Sequence, residues 1–253
     1  MKKRVMASYI TTLAIVLSSI TTFAAANTSS STKSTYSNAL SCPIITVGKI
    51  VSKPNDTVDV PLFLSQNTGI CAAKLTIEYD KALLLTRIEK GNAFTRFSMT
   101  TPDGDLKPNP CTLLFDAQDE VDTNGLLATL RFNTPPGDGL YNISVSYSNG
   151  DIVNGDPTPV SVVIKNGCIS VMSDVTEIAI GDKTLYLPES TETGNRLYVA
   201  YYTDEDKMSS LKTYSLNNES ITADADPTAS YAKVFYWTNN FAPLCISQLV
   251  VLQ

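Results

Sequence analysis

The sequence predicts an all-β protein: a sandwich or jelly roll of roughly nine strands, followed by a second, smaller β-sandwich-like domain. From residue 42 onward, short apolar runs alternate with polar residues at a period of two. Pro, Gly, Asn and Asp separate these runs about every 8 to 12 residues. No long stretch shows the 3.6-residue period of an amphipathic helix, so the pattern favours an all-β fold over an α/β fold.

The strand that organises the first domain lies at residues 70–79, where apolar residues alternate with small or polar ones. One side would carry Ala73, Leu75, Ile77 and Tyr79, and the other side Ala72, Lys74, Thr76 and Glu78. This pattern is typical of a half-buried strand. Its second side holds small residues and a Lys–Glu pair, which suit either an ordinary wet surface or a flat surface that docks a partner.

The remaining strands follow in order along the chain. In the first domain, residues 42–172, they are predicted at 44–51, 58–64, a segment ending near 88, 94–101, 111–117, 125–132, 141–147 and 160–171. A boundary falls near Ser173. In the second domain, residues 174–253, strands are predicted at 175–187, 197–203, 211–216, 232–237 and 245–252.

Residues 1–26 have the composition of a secretory signal peptide. Three basic residues open the chain, an apolar run follows, and three alanines precede Asn27. Ser and Thr interrupt the apolar run, which is short for a membrane span. We therefore expect cleavage after Ala26, a secreted extracellular protein with no membrane span, and a flexible Ser/Thr-rich leader at 27–41.

Composition narrows the possible functions. The chain has no histidine, which excludes the usual serine and cysteine triads and the commonest transition-metal ligand. Its formal net charge is −6 before the basic signal is lost. Nucleic acid and anionic membranes are therefore not expected as partners, because both attract Lys- and Arg-rich surfaces.

The five cysteines leave two alternatives open. They are Cys42, Cys71, Cys111, Cys168 and Cys245. The first four lie in the first domain, could pair in three ways, and leave the fifth without a partner. Disulfides are possible outside the cell, but the spacings match no zinc motif, and buried free thiols fit the sequence equally well.

A series of short motifs gives the first domain a family resemblance. They are VGKIV at 47–51, KPNDTV at 53–58, YD at 79–80, LLF at 113–115, NGLLATLRF at 124–132, YSNGDI at 147–152 and NGCISV at 166–171. In this order they resemble a cohesin module over residues 42–172. The resemblance implies a nine-stranded jelly roll without catalytic activity, carried by a scaffolding protein (scaffoldin) of a cellulosome.

The resemblance also implies a partner and a site. Cohesins bind the dockerin modules of enzymes or other scaffold proteins on one sheet face, formed by the third, fifth, sixth and eighth strands. Carried over to this sequence, that face would hold Ala72, Lys74, Thr76, Phe97, Met99, Thr101, Leu114, Asp116, Ala117 and Ile152. Leu114 and Ile152 would be its apolar anchors inside a polar rim.

The sequence departs from the family on this face. Many cohesins carry Asn and Asp where this chain has Ala72 and Lys74, and Ala117 stands where a Glu is often found. Because charge complementarity chiefly sets specificity, these changes predict a dockerin with an acidic or apolar recognition surface.

Three other functions compete with docking. Trp237 with Tyr198, Tyr201, Tyr202 and Tyr236 could form a sugar-binding platform in the second domain, which would then contact a polysaccharide or the cell surface. The carboxylates at 116–122 could hold calcium, although the spacing of a calcium loop is missing. A glycosidase would need a carboxylate pair, and the sequence singles out none.

The second domain itself has a weaker resemblance. The segments at 233–237 and 241–245 resemble a small β module at the C-terminus of secreted proteins of gut clostridia. The sequence as a whole is interpreted as a secreted, non-catalytic scaffolding protein that docks dockerin-bearing proteins in polysaccharide degradation. No cofactor is expected on this chain, because the calcium would belong to the dockerin.

Overall fold

The computed structural model describes residues 42–99, 108–191, 193–216, 222–223 and 226–252. These residues belong to one compact unit. The predicted signal peptide and leader, residues 1–41, lie outside the described residues. Within the described ranges, we find no helix with the length and apolar character that crossing a bilayer requires.

The first domain is a sandwich of two sheets, which confirms the predicted fold class. Its strands are β1 (Ile44–Val47), β2 (Lys49–Ser52), β3 (Thr57–Ser65), β4 (Ile70–Tyr79), β5 (Leu84–Lys90), β6 (Arg96–Met99), β7 (Cys111–Val121), β8 (Gly125–Asn133), β9 (Gly139–Ser146), β10 (Ile152–Val153), β11 (Val163–Lys165) and β12 (Gly167–Val171). One sheet has the order β11-β1-β3-β8-β5. The other has the order β2-β12-β9-β4-β7-β6, with β10 pairing β4.

Nine strands were expected where the described residues of this domain form twelve, and two of the three extra strands come from chain crossings between the sheets. The segments predicted at 44–51 and 160–171 each break into a strand of the first sheet and a strand of the second. At one crossing, a Cβ on Gly48 would lie 2.6 Å from Pro61 Cδ, so the chain needs a glycine there. At the other, Asn166 Oδ1 accepts the Val145 N–H at 3.0 Å.

The alternation predicted for the organising strand is observed in β4. Its inward residues, Ala73, Leu75, Ile77 and Tyr79, are between 0% and 7% exposed and belong to the core between the sheets. Its outward residues are half-buried or exposed. Burial of one apolar face is what fixes the register of such a strand, since a slip by one residue would turn that face to water.

The second domain contains two further sheets. Its strands are β13 (Val175–Ile180), β14 (Lys183–Pro188), β15 (Arg196–Tyr202), β16 (Met208–Ser215), β17 (Thr222–Ala223), β18 (Tyr231–Trp237) and β19 (Gln248–Val251). The sheets have the orders β14-β13-β17 and β16-β15-β18-β19. Residues of both, such as Ile178 and Val199, share one core, so this domain is sandwich-like as predicted.

The two domains are joined by a packed junction. Phe63, on the outer side of β3, contacts the Tyr231 ring with centroids 4.9 Å apart, and Leu249 belongs to the same apolar cluster. Gln248, 1% exposed, bridges the domains through its side-chain amide. It accepts the Val51 N–H at 3.0 Å and donates to the Tyr186 carbonyl at 2.8 Å.

We predict that Gln248→Leu weakens this junction. The change would leave the buried Val51 N–H and the partly buried Tyr186 carbonyl without these partners, at a cost of about 1–3 kcal/mol for the buried group. Hydrogen exchange of the Val51 amide should accelerate and the free energy of unfolding should fall. Ser247→Ala, at the exposed neighbouring position, is the matched control and should change neither; equal protection of Val51 in both variants would contradict the bridge.

All five cysteines are free thiols in the structure. Cys42 Sγ donates to the Ser161 carbonyl at 3.0 Å, and Cys111 and Cys168 are buried. Burial raises the pKa of Cys245 to about 11, which keeps this thiol protonated at neutral pH. The sequence left disulfides and free thiols as alternatives, and the structure has free thiols.

Candidate functional site

The candidate site is the outer face of the seven-stranded sheet at β4, β6 and β7. We call it the docking face and define it by the residues that point away from the core: Ala72, Lys74, Thr76, Arg96, Ser98, Thr112, Leu114 and Asp116. Three adjacent antiparallel strands hold these residues. Their side chains project from one side of the sheet, where a single partner can contact all of them.

Leu114 occupies the middle of the docking face. Its backbone pairs with Lys74 on β4 and with Ser98 on β6, and its side chain is half-buried. One apolar side chain surrounded by polar neighbours is the arrangement found at the centres of protein interfaces. Lys74 and Leu114 therefore lie side by side on one surface.

Two ion pairs lie across this face. Lys74 Nζ is 3.3 Å from Asp151 Oδ1, and Arg96 Nη1 is 3.3 Å from Asp116 Oδ2. The Lys74 side chain is still 52% exposed. Exposed pairs of this kind contribute little to stability, so both cations can exchange their partners for a carboxylate of a bound protein.

The loop after β9 is tied to β4 beside Lys74. The Lys74 N–H donates to the Asp151 carbonyl at 2.8 Å. The pKa of the Asp151 carboxyl lies below its usual value, first because its carboxylate accepts the Ser148 N–H and then because of Lys74. This aspartate therefore stays ionised at neutral pH, and Lys74 pairs with it when no partner is bound.

The prediction that Ile152 is a surface anchor is wrong. Ile152 is 0% exposed and belongs to the core of the sandwich. Its backbone pairs with Ala73, an inward residue of β4. A tight turn with Gly150 at φ 87° precedes it, and a turn of this kind resets which side of the sheet the following residues face.

The predictions for Phe97 and Ala117 are also wrong. The Phe97 ring lies 5.1 Å from that of Phe115, which is 2% exposed, so Phe97 packs on the core side of β6. Ala117 is half-buried and packs against the same core. The backbone of Met99 pairs with Leu113, its side chain is not described, and Thr101 lies outside the described residues.

Sequence reasoning missed Arg96 and Ser98. The sequence does contain a pattern that identifies them, because polar and apolar residues alternate in the segment RFSM at 96–99. That alternation assigns Phe97 to the core and its two polar neighbours to the surface. The prediction instead carried Phe97 over from its position in the family resemblance.

The five aromatic residues proposed as a sugar platform do not form one surface. Tyr201 and Tyr236 are buried in the core of the second domain. Tyr202 stacks on Tyr231 at the junction, with centroids 5.0 Å apart and planes 3° apart. Tyr198 and Trp237 are half-buried neighbours, 5.3 Å apart, on the outer side of the four-stranded sheet.

The carboxylates at 116–122 have a different setting from the one considered above. β7 continues through Val121, so most of them lie along a strand rather than in a loop. Among the residues that the structure describes, no group of three His, Cys, Asp or Glu side chains is arranged to hold a metal ion.

The first domain matches a known protein family. The family model "Cohesin domain" matches residues 44–171, half of the chain. A search of curated proteins found no match. Solved structures similar to this chain include a non-cellulosomal cohesin from Archaeoglobus fulgidus, with 15% identity, 52% of this chain and 92% of the other covered, and a TM-score of 0.46.

Two more are a type I cohesin–dockerin complex from Clostridium thermocellum and a ScaB type I cohesin from Pseudobacteroides cellulosolvens. The complex is 18% identical, and the match covers 52% of this chain and 99% of the other. The ScaB cohesin is 19% identical, and the match covers 53% of this chain and 95% of the other. Both have a TM-score of 0.45. The family match over half of the sequence decides the family. The chain belongs to the cohesin family, whose members are non-catalytic protein-interaction modules.

Proposed function

We propose that this chain is a secreted scaffolding protein whose docking face binds dockerin modules of polysaccharide-degrading enzymes or adaptor scaffoldins in a cellulosome. The observation that carries the proposal is the half-buried Leu114 at the centre of a polar-rimmed sheet face in a cohesin domain. An apolar anchor of this kind dominates binding energy once a partner excludes water from it.

The position of the second domain supports the use of this face. That domain packs on the outer side of β3 and against β2. Within the seven-stranded sheet, β12 and β9 separate β2 from β4. The junction therefore occupies a different part of the first domain and leaves Lys74 and Leu114 accessible to a partner.

The charges on the docking face favour a particular class of dockerin. Lys74 and Arg96 are cations that reach solvent beside Leu114. A recognition surface with an apolar residue flanked by carboxylates would complement both features, and a basic one would be repelled. Calcium is expected in the dockerin, whose oxygen ligands suit that ion.

Secretion is part of the proposal and is supported by the basic start and apolar run of residues 1–26. The direct test of the whole proposal is a binding assay of the mature chain against the dockerins encoded in the same genome. Saturable binding to at least one of them is expected. Failure of every dockerin in the set, with the chain folded, would contradict the proposed function.

Charge reversal at Lys74 should change the choice of dockerin. Lys74→Asp would bring two carboxylates together at Asp151 and repel an acidic partner, so we expect about tenfold weaker binding to the cognate dockerin. Titration calorimetry measures the change. The control is Asp151→Asn, which removes the internal ion pair but keeps Lys74 and should preserve binding; unchanged affinity of Lys74→Asp would remove this residue from the interface.

A further inference from the structure

The junction between the two domains contains a cleft of about 610 Å³. Its walls come from both domains: Lys49, Phe63 and Lys165 from the first, and Tyr202, Lys233 and Phe235 from the second. This junction cleft lies outside the docking face, and the proposed docking function gives it no role.

Three lysines converge on the junction cleft. Lys49 and Lys165 are exposed at the start of β2 and the end of β11, and Lys233 lies half-buried in β18. Among the described residues, none of the three forms an ion pair, and no carboxylate lines the cleft. Three cations that converge without an ion-pair partner make the cleft electropositive, which attracts an anion.

Lys165 and Lys233 are close enough for the charge of one to act on the other. The pKa of Lys233 is lowered, first by burial and then by the positive charge of Lys165, while Asp206 acts in the opposite direction. Asp206 does not line the cleft; its carboxylate accepts the Tyr231 hydroxyl at 3.1 Å and the Gln66 N–H at 3.2 Å, and it is one carboxylate against three lysines. An anion bound between Lys165 and Lys233 would relieve their repulsion.

Aromatic rings form the other wall of the cleft. Tyr202 is held in place by stacking on Tyr231, and Lys233 Nζ lies 4.8 Å from the centre of its ring. Phe235 lies two residues further along β18 on the same side of the strand and is half-buried. Partly exposed rings that packing has already fixed can receive the C–H face of a sugar at little entropic cost.

We propose that the junction cleft binds an anionic polysaccharide of the polyuronate class, with its carboxylates on the three lysines and its sugar rings against Tyr202 and Phe235. A polyuronate combines one carboxylate and one apolar ring face in every sugar unit, which matches both walls. An acidic peptide carries the charge without the rings, and a neutral glycan carries the rings without the charge.

The test measures binding of the full mature chain to polygalacturonate and to alginate at low ionic strength, by affinity electrophoresis and calorimetry. Neutral galactan and poly-glutamate are the comparison probes. We expect binding to at least one of the two polyuronates, at least about tenfold weaker binding to both comparison probes, and a steep loss of binding with added salt, since screening weakens these contacts.

Variants then place the site. Lys165→Gln with Lys233→Gln should weaken polyuronate binding at least about tenfold, and Phe235→Ala should weaken it while Phe235→Trp preserves it. The matched control, Lys81→Gln with Lys183→Gln, removes the same charge at exposed positions outside the cleft and should bind as the wild type does. Circular dichroism and thermal melting verify that each variant is folded.

Three results would overturn the proposal. The first is that the chain binds neither polyuronate. The second is that it binds poly-glutamate as tightly as the polyuronates. The third is that the lysine variant of the cleft and its control lose the same amount of polyuronate affinity. The second result would identify the cleft as a general polyanion site or a site for an acidic protein. None of these results depends on whether the docking face binds a dockerin.

Discussion

Replacing Leu114 by Asp should weaken dockerin binding by at least about 30-fold, the equivalent of losing about 2 kcal/mol at an interface anchor. The substitution removes the apolar side chain at the centre of the docking face and puts a carboxylate where the partner would exclude water. Because Leu114 points away from the core, the fold should be retained.

Titration calorimetry with the cognate dockerin measures this loss. Leu84→Asp is the matched control, since Leu84 is 48% exposed and lies on β5 of the opposite sheet. The control should bind with the affinity of the wild type. Equal affinities for the Leu114 variant and the wild type would remove the docking face from the interaction.

Shortening the Ile152 side chain to alanine should lower the stability of the fold and leave dockerin binding unchanged. Ile152→Ala leaves a cavity in a fully buried position, which costs about 2–5 kcal/mol of the free energy of unfolding. Val163→Ala, at a position 45% exposed on β11, should cost less than about 0.5 kcal/mol. Urea denaturation of both variants measures the difference.

The same pair of variants also tests the correction of the sequence prediction for Ile152. Below the denaturation transition, the Ile152 variant should bind the dockerin with wild-type affinity, because the side chain does not reach the docking face. A variant that loses affinity and keeps its stability would place Ile152 at the interface, as the sequence resemblance implied, and would contradict its burial.

Much of the fold followed from the sequence because strands with one buried face carry their own signal. The alternation in β4 fixed which residues face the core, and the same reasoning identified β3 and the start of β7. The crossings at Gly48 and Asn166 carry no such signal. The chain there continues in an extended form while its hydrogen-bond partners change from one sheet to the other, which is a property of the tertiary fold.

The docking face was harder to predict than the fold. Lys74 and Leu114 lie on long, regular strands, so their side of the sheet could be counted along the chain. Ile152 follows a turn, and the alternation of sides along a strand cannot be extended through a turn. Phe97 lies on a four-residue strand at the edge of the sheet, where its family-based position outweighed the local alternation that assigns it to the core.

The most direct test of the central claim is a hydrogen-exchange footprint of the chain with and without its dockerin. We predict protection of amides in β4, β6 and β7, centred on Leu114, and unchanged exchange in β3, β8 and the second domain. Protection confined to the junction or to the five-stranded sheet, with no change around Leu114, would contradict the docking face as the place where this protein receives its partner.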